Sequence, residues 1–241
     1  SDVCSSDLLL HAGDPYRALT LAKEYLKRHP DSSIAYRTAG EAYLALRKYD
    51  PARVALRKAV QLHPEDAKAH LSLVKSYTQP MIHAIQIGDV PKTCSRLEAE
   101  MKILSHPEAS LHKAETLRPQ AALALRQVRG SLYLLLARSS LALEDHTRRT
   151  LDVVSASKAR QKQKQLETEL SAIQTIRATL EAKGLADLSR VIQRTKALLA
   201  AKDADDEKGL RRCANTAGKD LVEYCVERSD IAPWAKTIDV L

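Results

Sequence analysis

Residues 33–66 read SIAYRTAGEAYLALRKYDPARVALRKAVQLHPED, and their small side chains recur at fixed offsets between larger apolar ones. Ala35, Ala39, Gly40, Ala42 and Tyr43 fall on one stretch of helical spacing. Ala52, Leu56, Ala59, Val60 and Leu62 fall on a second, closed by Pro64. Apolar residues three and four apart share one face of a helix, so each stretch predicts an amphipathic helix. Small residues on those faces let two helices approach closely, so the pair is expected to nest as a hairpin.

The flanking sequence carries the same phrase. His29-Pro30-Asp31 is echoed by His63-Pro64-Glu65 and again by His106-Pro107-Glu108. Pro30 and Pro64 are 34 residues apart, and Pro107 follows Pro64 by 43. Residues 9–31 therefore predict the back half of an earlier unit, with a turn at Gly13-Asp14 and a helix ended by Pro30. Residues 67–108 predict a degenerate unit with an insertion near 78–90. Its first helix is AKAHLSLVKSY and its second is VPKTCSRLEAEMKIL, opened by Asp89 as N-cap with Pro91 in the first turn.

Against the pattern W-x₂-L-G-x₂-Y…A-x₃-F…P, Tyr36 takes the Trp place and Ala39-Gly40 the Leu-Gly. Tyr43 is the Tyr, Ala52 the Ala, Leu56 the Phe and Pro64 the Pro. The stretch resembles a tetratricopeptide repeat, well over 9–66 and more weakly over 67–108. The resemblance implies an all-α, right-handed helical solenoid that binds other proteins. It also implies that the binding surface is concave and lined by the first helix of each repeat. Carried over, that surface takes Arg37, Glu41 and Leu44 from one helix and Leu71 and Lys75 from the next. The expected partner is a peptide or helix laid in this groove. Glu41 stands where the subgroup that grips acidic C-terminal peptides of chaperones has Asn, and a carboxylate there repels such a terminus.

Composition points to helices throughout. Of 241 residues aromatics are 4%, Phe is absent and Gly is only 7. Few windows alternate with period two. No apolar run reaches the roughly 18 residues of a membrane span. The domain reading is a repeat region over 9–108 and a C-terminal helical bundle over 109–241. In the bundle, 119–143 is apolar on nearly all sides, through Leu123, Leu125, Val128, Leu132, Leu135 and Leu136, and is expected to be central. A long helix over 147–183, broken at Gly184, and a second over 186–201 predict an antiparallel hairpin. The acidic run at 203–207 is expected to start a further helix that presents Leu210, Ala214, Ala217, Leu221 and Cys225. Trp234 in the tail is expected to dock on neighbouring helices.

The opening residues 1–8, SDVCSSDL, read as the conceptual translation of a sequencing adaptor and are set aside as a non-native scar. On that reading the native N-terminus lies upstream, and removing Asp2 and Asp7 moves the net charge from +8 to about +10. Cys94, Cys213 and Cys225 then remain, without CxxC spacing or a nearby His. An odd count of thiols fits a reducing compartment, so a cytoplasmic setting is the expectation.

Residues 111–241 carry 23 Lys and Arg against 17 Asp and Glu. Arg148, Arg149, Lys158, Arg160, Lys162 and Lys164 concentrate the excess on what reads as one helix. Nucleic acid is therefore a second candidate partner. No aromatic residues interleave, so a stacking platform for single strands is not expected. Self-association through the C-terminal helices is a third reading. No phosphate-binding, dinucleotide, nucleophile-elbow or zinc-protease motif occurs, and the eight histidines are scattered. Neither catalysis nor a cofactor or metal is expected.

Overall fold

A computed structural model describes residues 9–10, 12–156, 160–201 and 206–227. The segment 1–8, Lys158, most of the acidic run and the tail with Trp234 lie outside those residues. The described residues form helices and no strand: α1 (Pro15–Arg28), α2 (Ser33–Ala45), α3 (Tyr49–Leu62), α4 (Ala67–Gln86), α5 (Cys94–Ser105), α6 (Glu108–Leu117), α7 (Pro119–Ala156), α8 (Arg160–Ala200) and α9 (Glu207–Glu227). The protein is all-α, as its composition and periodicity predict. Its chain divides into two compact units, Ser1–His83 with His106–Leu125 and Ala84–Ser105 with Arg126–Leu241.

In the first unit a side-chain cap marks the starts of α1, α2 and α4. Asp14 accepts a hydrogen bond from the backbone of Arg17, Ser32 from Ala35 and Asp66 from Ala69. Each thereby satisfies a first-turn N–H that has no partner inside its helix. Helix α1 packs on α2, and α2 on α3. Ala18, Leu19, Ala22, Ala39 and Ala42 form one buried cluster. Gly40 lies against Leu56: a β-carbon at 40 would come within 2.5 Å of Leu56 Cγ. The predicted nesting of 33–45 on 49–62 is thus realised at the Gly and Leu positions that carried the repeat pattern.

The expected insertion near 78–90 takes a different form. Helix α4 runs on to Gln86 with Pro80 inside it. A proline there withdraws the N–H that would bond the carbonyl of residue 76. Arg53 Nη1 of α3 donates to that Ser76 oxygen at 3.1 Å instead. The next helix starts at Cys94, not near Asp89. Thr93 caps it, accepting from the Arg96 backbone at 3.3 Å, while Asp89 pairs with the Arg96 guanidinium at 2.6 and 2.7 Å.

In the second unit the predicted hairpin is displaced. Gly184 does not end a helix, because α8 continues through it to Ala200. The true hairpin is α7 with α8, which run antiparallel: Gly130 meets Leu188, Gly184 meets Leu134, and Glu144 meets Gln174 and Arg177. A β-carbon at Gly184 would lie 2.7 Å from Leu134 Cδ2 and 3.0 Å from the Gly130 carbonyl oxygen. Glycine is there for close approach of two helices, and its cost in helix propensity of about 1 kcal/mol is outweighed by packing along a 41-residue helix. Leu210, Ala214, Ala217, Leu221 and Cys225 of α9 are all buried, as their spacing predicts.

Candidate functional site

The row expected to face a partner begins on α2. Arg37 pairs with Asp66 at 3.5 Å, and their side chains are only 11% and 13% exposed. Glu41 accepts a hydrogen bond from the Ser72 hydroxyl at 2.8 Å. Two of the five expected residues therefore join α2 to the start of α4. Both links use a polar side chain that would otherwise be costly to half-bury.

Leu71 is a correction to the expected surface. It is buried, packed with Val74 against Leu111, Ala114 and Ala122. Helix α6 and the first turn of α7 cover it, so its apolar contact belongs to the chain's own core. Leu44 is half-buried and Lys75 is exposed. Two further residues complete the row. Ile34, 47% exposed, precedes Arg37 by three positions and Glu41 by seven, and exposed Lys68 stands in the same relation to Leu71 and Lys75. Helical spacing puts both on the row's face, and that spacing was the signal available in the sequence.

The basic cluster does not lie on one helix. Arg148 and Arg149 lie about two turns before the end of α7, whereas Arg160, Lys162 and Lys164 begin α8. Arg148 is paired with Glu144 at 2.9 Å, and Lys164 shares a surface groove of about 710 Å³ with Glu98 and Glu167. Neighbouring carboxylates therefore dilute the cluster's field. The other three are exposed.

Among the described residues no group of His, Cys, Asp or Glu could hold a metal ion, and no helix is long and apolar enough to cross a membrane. Cys94, Cys213 and Cys225 are free thiols. Burial raises the pKa of all three, that of Cys213 to about 11. Glu169 and Glu98 add to the rise at Cys94. A thiol held protonated is a poor nucleophile.

Residues 9–76 match the tetratricopeptide repeat family. No curated protein matches the sequence. Among solved structures, a thermophilic tetratricopeptide protein from Thermus thermophilus is 22% identical. The match covers 89% of this chain and 96% of that one, with a TM-score of 0.44.

Proposed function

On the premise that this is a tetratricopeptide repeat protein, with its repeat segment at residues 9–76, we propose that the chain is a non-catalytic scaffold. It holds a peptide or helix of a partner protein along the first-helix row of α2 and α4. Repeats of this family generally mediate protein–protein interaction, and that general role is the starting point.

One observation carries the reading. Arg37 and Glu41 are tied to Asp66 and Ser72, so the row is pre-organised before any partner arrives. A surface already ordered loses little side-chain entropy on binding. What it offers outward is apolar area at Ile34 and Leu44 with cations at Lys68 and Lys75. A segment with apolar anchors and an acidic flank fits that chemistry. Arg37 and Glu41 position the row, and Leu71 belongs to the core under α6 rather than to the contact surface. The nucleic-acid reading through Arg148, Arg149, Lys158, Arg160, Lys162 and Lys164 has less behind it, because the five of these cations that lie among the described residues are divided between two helices and partly paired.

Peptides selected from a random phage library on the whole chain test the proposal by titration calorimetry. Leu44→Asp and Lys75→Glu should each weaken the selected peptides more than tenfold while thermal unfolding stays unchanged. Binding equal to the parent in both variants would sink it.

A further inference from the structure

The second unit holds a groove of about 650 Å³, within the roughly 300–1,000 Å³ range of ligand sites. Val90 and Pro91 of the loop before α5 form one wall, and Ala142 and Leu143 of α7 form the other. Lys92, Arg138 and His146 bring basic or hydrogen-bond-donating side chains to its lining, and no carboxylate of the described residues lines it.

The loop wall is held in place. Gly88 takes a left-handed φ of 73°, and the Asp89 backbone donates to the Ala84 carbonyl at 2.8 Å. The Asp89 carboxylate is occupied by Arg96, whose hydrogen bonds keep it below the usual carboxylate range. That leaves Lys92 as the loop's charge toward the groove. On the other wall Arg138 rests on the Tyr224 ring at 5.6 Å and lies 4.0 Å from exposed Glu223. A loose, exposed pair of that kind yields readily to a better-placed carboxylate. Neither Lys92 nor His146 forms an ion pair among the described residues.

Arg138, Ala142 and His146 follow at four-residue intervals, so they lie along one stripe of α7. Eight residues of helix rise about 12 Å, with the small Ala142 at the midpoint. In an extended peptide, residues i and i+4 point to the same side about 13 Å apart, with i+2 between them. We infer that this groove docks an extended segment of a partner protein in the pattern acid–x–apolar–x–acid. One carboxylate meets Arg138, the other accepts from the His146 imidazole, and the apolar side chain enters between Ala142, Leu143, Val90 and Pro91. All its lining residues belong to the second unit, and the inference does not rest on the repeat row.

A capped peptide carrying Glu-Thr-Leu-Thr-Glu, titrated into the full chain by NMR, tests the inference, with Lys-Thr-Leu-Thr-Lys as control. The acidic peptide should bind, shifting the amides of Val90, Lys92 and 138–146, and the basic one should not. Ala142→Trp, which fills the stripe's centre from an exposed position, and Lys92→Glu should each weaken binding more than tenfold with thermal unfolding unchanged. Absence of binding, equal binding of both peptides, or indifference to Ala142→Trp would overturn it. Shifts confined to α2 and α4 would instead locate the peptide on the repeat row and overturn this site alone. Tighter binding after deletion of 228–241 would assign the groove to the chain's own end. Mass rising with concentration in light scattering, and abolished by Ala142→Trp, would assign it to a second copy, and either result would replace the inference.

Discussion

Arg53 donates from Nη1 to the carbonyl oxygen of Ser76 at 3.1 Å, supplying from α3 the hydrogen bond that Pro80 cannot supply within α4. Ser76 is fully buried, so its oxygen has no ready substitute in water. The contact couples the end of the clearest repeat to the helix that follows.

Replacing Arg53 should therefore cost more than a surface arginine normally does. Arg53→Leu is expected to destabilise by about 1–3 kcal/mol in urea unfolding, the cost of an orphaned buried acceptor. In a Pro80→Ala background, residue 80 regains its N–H and the same substitution should cost less than half as much. Equal costs in both backgrounds would show that Arg53 acts through Asp50 or Tyr77, its other neighbours.

Close helix approach gives a second prediction. Gly184→Ala adds a methyl 2.7 Å from Leu134 Cδ2 and 3.0 Å from a backbone oxygen that cannot move aside cheaply. Overpacking of about 1–3 kcal/mol outweighs the gain in helix propensity, so the midpoint of urea unfolding should fall. A rise in the midpoint would mean that α7 and α8 separate freely at this level.

Asp187 is the third point of leverage. It accepts from Arg126 at 2.6 Å and from Arg129 at 2.7 and 2.8 Å, and all three residues are at most 4% exposed. Asp187→Asn removes the counter-charge of two buried guanidinium groups. The expected loss is about 3–5 kcal/mol in chemical unfolding, well above the median for a surface pair.

The thiols supply a pH prediction. The Cys213 pKa is raised from 9.0 to about 11 by burial, so the folded state keeps its proton where the unfolded chain loses it. Its contribution to stability is complete below pH 9 and disappears as pH rises through about 11. Mass-resolved alkylation at pH 8 should label Cys213 slowly in the native chain and quickly after denaturation. Fast native labelling would contradict the burial.

Much of the first unit was legible in the chain itself. The offsets of Ala39, Gly40, Ala52 and Leu56 specify helices that nest, because side-chain size at a helix crossing is a local property repeated in space. Helix identity in the second unit was legible too, through the apolar faces of α7 and α9. Boundaries were less so. Gly184 read locally as a break and 78–90 as an insertion, yet α8 continues through the one and α4 runs on through Pro80 in the other: the glycine is required by Leu134, and the proline is compensated by Arg53.

By itself, then, the order of residues determined that the chain folds as helices, that those of 33–62 pair through small side chains, and which face of α2 carries Arg37, Glu41 and Leu44. Tertiary structure alone decided what those faces meet. It enclosed Leu71 under α6, tied Arg37 and Glu41 to neighbours 29 and 31 positions away, and separated Arg148 and Arg149 from Arg160, Lys162 and Lys164 onto two helices. The physical reason is range. Helix propensity and periodicity act over a few residues, whereas burial and ion pairing depend on partners that only the folded chain brings together.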